Sequence, residues 1–558
     1  MFHDVGKIAG VVDMTVVHSG DDGTTWYDAA CMRTLKNLDP LHWLLIVLGV
    51  IYAFALFNHG PVPSMEPRFA EAVREMLARG EWLIPIKNGI PYIEYPPLYF
   101  WLGILGTLAG LPLIAAIRLP GYVGFLLWVI WLARLQKDLF PQWPRWLLPL
   151  TAAALPAILY NFFTAQSDSL LILGTLIAMT GFVRLRTDPK RRGFPWELWL
   201  GVLLATAAKG PVGLAITLPV MAIEVILAAF LNIQPATSEG RDIGARIRWI
   251  AKEAWRMAPS RGIALALLGI IPWYIAAGFT TGWEFVRAVL IYQNFTRFLT
   301  GFDHLQPWWM YFQSIWGDLV PLSLLLPFGV YFGFRYIREF RWRVLLVWTL
   351  FTLLFFTISA SKQSKYILPA APAMAILALA AVEPLFRSDN LHRLVRRILV
   401  GIAVAVLIVF AGGVFIWLPL HQNRIGGFAG YEQIKAAVAK APGTIVSFQW
   451  PRPMTLYVLG APMPYVRSSR QLYEEIHNGQ IKPGDYILVN TKYLPDGGQP
   501  DDMKLLPPPQ APNFQEVLHV TAEDPMVLYR LLPTAVAMPM PVTPVPPPWH
   551  WWEQFDTD

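Results

Sequence analysis

The chain is poor in charge and almost free of cysteine. Only 15% of its 558 residues are Asp, Glu, Lys or Arg, where a soluble domain carries about 25%. With a mean hydropathy of +0.42, a water-soluble globular protein is excluded. Cys31 is the single cysteine, so no intrachain disulfide can form and cysteine usage says nothing about redox compartment. No repeat of solenoid period is present. The first 40 residues lack the apolar core of a cleavable signal, which leaves the first long apolar run as an uncleaved anchor. The net charge of +7 is informative only by position, because the loops that carry Lys and Arg set the orientation of a membrane protein. No nucleic-acid partner is expected.

What the sequence does have is apolar length. Runs near 41–57, 113–134, 146–163, 169–186, 197–208, 211–231, 262–279, 314–334, 343–358, 366–385 and 398–419 approach the roughly 20 residues that span a hydrocarbon core. The fold class is therefore mainly α: a polytopic membrane helix bundle of about 11–13 transmembrane helices. From a cytoplasmic N-terminus, the loops with Arg134/Lys137/Arg145, Arg184 to Arg192, Arg241 to Arg261, Arg335 to Arg343 and Arg393/Arg396/Arg397 all fall inside, as the positive-inside rule requires. That threading holds only if 97–110, short and preceded by Pro96-Pro97, lies re-entrant or along the surface. The run at 197–208 should break at Lys209-Gly210-Pro211.

The chain divides into a cytoplasmic segment 1–40, a membrane domain 41–422, an outer domain 423–532 and a tail 533–558. In the outer domain, short β-rich runs at Thr444–Phe448, Thr455–Leu459 and Asp485–Val489 alternate with a helical stretch Arg470–His477, which reads as a small periplasmic α/β domain. The tail is proline-rich and should be extended.

The threading sends the remaining polar residues to one face. The first outer loop, 58–96, holds a short amphipathic helix over Glu66–Arg79, with Pro67 in its first turn. Glu66 and Glu71 can complement the helix dipole, and for Glu71 that is the better account; Glu66 sits where an unpaired carboxylate beside the bilayer is costly. Arg68 is then its partner or an anion ligand. Asp168, with Ser167, resembles a helix N-cap, a role compatible with catalysis. Lys209 lies between apolar runs and needs a counter-charge, which a phosphate would supply. The third outer loop, Ser359–Tyr366, brings Lys362, Lys365 and Tyr366 to a helix start, a composition suited to an anionic head group. Arg297 and the pair Asp303-His304 complete the outer set, a lone His304 being more often structural than a base or ligand.

Four blocks in fixed order resemble a known family. They are Glu66-Pro67-Arg68-Phe69-Ala70-Glu71 with Tyr92-Ile93-Glu94-Tyr95-Pro96-Pro97; Lys209-Gly210-Pro211; Arg297-Phe298 followed by Gln306-Pro307-Trp308-Trp309-Met310-Tyr311; and Phe356 to Pro369. Together they resemble the integral membrane glycosyltransferases of the glycosyltransferase C superfamily, which include the lipid A aminoarabinose transferase and the protein O-mannosyltransferases. The resemblance implies a polyprenyl-phosphate sugar donor, an active site facing the periplasm of a bacterial inner membrane, and inverting transfer to a lipid A-like or other lipid or glycan acceptor. It implies a catalytic carboxylate at Glu66 or Asp168, and donor-phosphate ligands among Lys209, Arg297, Lys362, Lys365 and Tyr366, beside which Arg68 stands as the anion ligand read from its own position.

Departures from the family pattern matter. Met65 stands where the family has Asp, and Tyr95 where it has Lys. The family's divalent metal would fall to Glu94 and position 294, but position 294 is Asn294, and Glu with Asn is a poor zinc pair. The alternatives are a protein O-mannosyltransferase-like enzyme, a lipid-linked sugar flippase or ligase, and a non-catalytic scaffold.

Overall fold

The computed structural model describes residues 39–62, 65–231, 243–301, 304–385, 389–421, 428–460, 462–490, 513–521 and 525–533. The N-terminal segment with Cys31, Asp303 and most of the Pro-rich tail lie outside the described residues. The chain is a polytopic membrane protein. Among the described residues, seven helical stretches are long and apolar enough to cross a membrane: Leu113–Leu139, Asp168–Thr187, Val212–Phe230, Pro259–Thr281, Phe340–Ile358, Ser364–Leu385 and Asp389–His421.

The other apolar runs are shorter or broken. Pro40–Ala55 has 16 residues. The run near 146–163 is divided at Leu155 into Leu147–Ala153 and Pro156–Phe163, Pro156 having no N–H with which to continue the first helix. The run at 314–334 is interrupted around Pro321 by a 3₁₀ turn, Leu322–Leu324. Leu98–Leu108 has 11 residues, about 16 Å at 1.5 Å per residue, half of a hydrocarbon core. It packs as a hairpin against Leu113–Leu139, with a Cβ at Gly106 only 3.0 Å from that of Ala116.

On the side where the sequence places cytoplasmic loops, one buried carboxylate ties three segments together. Glu224 accepts from Arg343 at 2.7 Å and from Arg186 at 3.2 Å, while Arg186 also pairs with Glu253 of the Ile243–Arg256 helix. Both charges of the Glu224–Arg343 pair are withdrawn from water, so each needs the other.

On the opposite side, the first outer loop forms the helix Met65–Arg79 and a two-stranded hairpin, β1 Ile86–Lys87 and β2 Ile90–Pro91. Glu75 accepts from the hairpin's backbone N–H of Gly89 at 2.9 Å.

The C-terminal α/β unit stands on this loop. Its sheet contains β3 Ile445–Phe448, β4 Tyr465–Val466, β5 Tyr486–Asn490, β6 Phe514–Val520 and β7 Met526–Leu531 in the order β4-β3-β5-β7-β6. β4, β3 and β5 are parallel, β7 runs antiparallel to β5, and the edge strand β6 pairs antiparallel with β7. The 455–459 run, expected as a strand, is instead part of the helix Pro453–Leu459. Pro453 in its first turn favours the helix, and Arg74 donates to its Leu456 and Tyr457 carbonyls at 2.9 and 3.4 Å. A second clamp joins Asn88 to Met463 by reciprocal bonds of 2.7 and 3.1 Å.

Candidate active site

Asp168 begins one helix and Lys209 ends the next. These antiparallel helices lie backbone to backbone: a Cβ at Gly174 would sit 2.5 Å from the Ala205 nitrogen, and one at Gly201 would sit 2.3 Å from the Ala178 nitrogen. That approach holds the Lys209 ammonium against the Asp168 carboxylate in a direct ion pair. Gly210 then turns the chain at φ 68°, ψ −147°, a region essentially reserved for glycine. Ser167 occupies the N-cap position of the Asp168 helix but makes no side-chain cap bond, so the capping pattern expected of this pair is absent.

Lys365 reaches the other Asp168 oxygen at 3.4 Å and donates to Gln166 Oε1 at 3.3 Å. The Lys209 ammonium also lies 4.7 Å from the centre of the Tyr366 ring, an attractive cation–π arrangement. Asp168 is 1% exposed. It is the common anchor of two cations, Lys209 and Lys365, from segments far apart in the chain.

The second and third outer loops meet edge to edge. Ala360 N–H donates to Phe298 at 2.8 Å, and Lys362 N–H to the His304 carbonyl at 3.0 Å. Before this junction the chain adopts a π-helix, Ala288–Thr296, a geometry often found at functional sites. It delivers Gln293 and Arg297 together: Arg297 donates to Gln293 Oε1 at 3.2 Å and to Ser361 Oγ at 3.5 Å.

These pieces enclose a pocket. Its polar wall comprises Glu94, Tyr95, Lys209, Gln293, Asn294, Arg297, Ser359, Ser361 and Tyr366; Phe298, Phe355, Phe356, Leu171 and Val212 form the apolar wall. Glu94 is held by Arg68 at 3.4 Å. Burial, followed by the nearby Glu94 and Asp168 carboxylates, holds the Tyr95 phenol well above its ordinary range, so Tyr95 can donate but does not ionise.

Of the site residues singled out in the sequence, Glu94, Lys209, Arg297 and Tyr366 line this pocket, Arg68, Asp168 and Lys365 contact its lining or each other, and Glu66, Lys362 and His304 are engaged elsewhere. Glu66 is fully buried and bound by both oxygens to Arg118, at 2.8 and 2.7 Å. It also accepts from the backbone N–H groups of Val62 at 2.7 Å and Ala165 at 3.3 Å. Arg118 in turn donates to the carbonyls of Ala55, His59 and Gly60, and burial with this guanidinium lowers His59 to about 4. With both oxygens occupied by these donors, Glu66 is a staple between the first outer loop and the Leu113–Leu139 helix. Lys362 is 6% exposed, and its ammonium donates to its own loop at the Ser359 carbonyl, 2.5 Å away. His304 has an exposed side chain in the left-handed region, φ 46°, and its carbonyl joins the two loops.

Arg118 was not recognised in the sequence, although an arginine within an apolar run is a signal in itself. Gln293 and Phe355 carried no local signal, whereas Ser361, Phe298 and Phe356 stand in stretches that the sequence marks.

No family model matches the chain. It is 27% identical over 352 residues to undecaprenyl phosphate-alpha-4-amino-4-deoxy-L-arabinose arabinosyl transferase 1 of Pseudomonas fluorescens, a match covering 60% of this chain and 56% of that protein. A transferase of the same name from Pseudomonas aeruginosa is 26% identical over 384 residues, covering 66% and 64%. The chain thus spans less than two thirds of the length of these relatives. Among solved structures, ArnT from Cupriavidus metallidurans bound to undecaprenyl phosphate superposes with a TM-score of 0.65 at 18% identity, covering 87% of this chain and 97% of that one. The chain is similar in sequence to these aminoarabinose transferases and shares the fold of the superposed ArnT.

Set beside that family, the pocket departs in its possible metal ligands. Glu94 is engaged by Arg68, and the Asn294 amide donates to the Val289 carbonyl at 2.6 Å. Among the described residues no group of three or more His, Cys, Asp or Glu is placed to hold a metal ion. Zinc sites are built from such side chains, so this donor set does not fit a zinc ion, and no chemical step is assigned to one.

Proposed function

We propose that the chain is an inverting glycosyltransferase that moves a sugar from a polyprenyl-phosphate donor to a lipid A-like or other acceptor on the periplasmic face of a bacterial inner membrane. The observation that carries this reading is the gathering of cations at the pocket. Lys209 and Arg297 line it, Lys365 and Arg68 adjoin it, and their carboxylate partners are Asp168 and Glu94. Cations gathered in this way suit a phosphate, to which lysine and arginine give charge-assisted hydrogen bonds. The relatives' names and the undecaprenyl phosphate of the superposed structure support a lipid-phosphate donor.

The reaction follows as a single displacement. An acceptor oxygen bonds to the anomeric carbon while the bond from that carbon to the donor phosphate oxygen breaks, inverting the centre. The polyprenyl phosphate leaves as a dianion. Lys209 and Arg297 stabilise the charge that develops on it, usually the largest catalytic contribution, and Asp168 positions Lys209 and Lys365. Glu66 being fixed by Arg118, the site favours an acceptor that is already ionised. A phosphate dianion on the acceptor becomes a monoanionic diester, and the charges balance without a base.

Incubating purified full-length protein with a labelled polyprenyl-phosphate sugar and lipid A tests this. Label should move to the acceptor with release of equimolar polyprenyl phosphate. Movement of intact donor across a vesicle bilayer without release would instead assign the chain to transport.

A further inference from the structure

The helix Ile243–Arg256 lies between two candidate spans, Val212–Phe230 and Pro259–Thr281, at the end of the bundle where the sequence places the cytoplasmic loops. One side of it is fixed to the protein. Glu253 is buried and pairs with Arg186 and Arg256, Arg256 donates to the Leu185 carbonyl at 2.7 Å, and the Arg186 guanidinium lies 5.2 Å from the centre of the Trp249 ring. The other side has no cover among the described residues. Ile243, Ile247, Ala251 and Trp255 recur every four residues as one slowly winding stripe, and Ile243, Ile247 and Trp255 are 66%, 60% and 71% exposed. Arg248 and Lys252, seven and three residues before Trp255, stand on its side of the helix and are exposed.

We propose that this helix lies in the headgroup layer of the cytoplasmic leaflet, with its stripe on the acyl chains and Lys252 and Arg248 on the phosphates of anionic phospholipids. An apolar stripe edged by lysine and arginine is the pattern of a helix lying in a membrane interface, and the short links to a span on either side hold it at that depth. Trp196, which opens the Trp196–Lys209 helix at the same end, is 58% exposed, as an aromatic belt at headgroup level requires. The long stems of Lys252 and Arg248 can follow the apolar surface while their charges reach the phosphates. The cations select a lipid as the occupant, because the cytoplasmic leaflet carries negative charge that attracts such segments.

The test uses the full-length protein in phosphatidylcholine vesicles containing phosphatidylglycerol. Cys31→Ser leaves Ile247→Cys as the single site for an environment-sensitive dye, and a trace of one lipid or the other carries a doxyl quencher near its headgroup. The dye should report an apolar site and be quenched by both lipids, with phosphatidylglycerol associating roughly fivefold more strongly for each cation that faces it. Lys252→Gln should remove one such factor. High salt should shrink the preference while Lys252 is kept, a result independent of how that variant folds. A dye exposed to water would overturn the proposal, as would a dye covered but beyond the reach of both quenchers, which would give this face to a protein segment. Equal quenching by the two lipids would overturn the anionic-lipid assignment.

Discussion

Glu66→Gln distinguishes a buried staple from a catalytic base. In the native protein Glu66 is 0% exposed and accepts two bonds from Arg118, which is 3% exposed. Removing one member of such a pair leaves an unmatched charge and typically costs about 3–5 kcal/mol. Here the loss should fall near the lower end, since Arg118 keeps the carbonyls of Ala55, His59 and Gly60 at 2.8–3.2 Å. Arg118→Met should be worse, because Glu66 would retain only the N–H groups of Val62 and Ala165. The double variant Glu66→Leu/Arg118→Met replaces both charges by apolar groups and should recover most of the loss, giving a coupling of about 3 kcal/mol in the cycle. The assay is heating of detergent-solubilised protein followed by size-exclusion chromatography, with polyprenyl phosphate release measured on the folded fraction. Folded Glu66→Gln should retain turnover within about threefold, a barrier change under 1 kcal/mol. Native thermal stability combined with loss of turnover would refute the staple and restore Glu66 as a base.

Lys209→Met should remove a charge-assisted phosphate contact of about 1.5–3 kcal/mol, weakening donor binding by about 10- to 150-fold in a titration with undecaprenyl phosphate. Glu71 is fully buried and paired with Arg74, yet burial raises its carboxyl from 4.5 to about 7 against that pull, with Glu75 also nearby. Between 4.5 and about 7 the folded state retains a proton that the unfolded chain has released, so this contribution is complete below 4.5 and is lost as pH rises to about 7. Its upper size is about 3 kcal/mol; protease cleavage around the Met65–Arg79 helix should be faster at pH 8 than at pH 5.5, and Glu71→Gln should flatten the difference. Arg74→Ala removes the contacts to Leu456 and Tyr457 and should release the α/β unit to limited proteolysis without preventing its folding. Dialysis against a chelator should leave turnover unchanged, because Glu94 and Asn294 are already bonded to Arg68 and Val289; loss of turnover restored by zinc would show a metal site.

Long apolar runs and their flanking charges determined that this is a membrane helix bundle, since a buried backbone in lipid has few solutions and hydrophobic length is local information. The break at Lys209-Gly210-Pro211 and the Met65–Arg79 helix were legible for the same reason: proline, glycine and amphipathic spacing act on their own segment. The 455–459 run was misread because its β-branched and aromatic residues favour a strand in isolation, whereas Pro453 and Arg74 decide for a helix. Asp168, Lys209, Arg297 and Tyr366 were visible as odd residues on one face, but their partners were not. That Lys365 joins Lys209 on Asp168, that Arg118 occupies Glu66 and that Arg68 occupies Glu94 are facts of tertiary packing. A carboxylate has the same chemistry in every sequence; what it can do is set by which cation the fold brings within about 3 Å of it, and only the folded chain makes that choice.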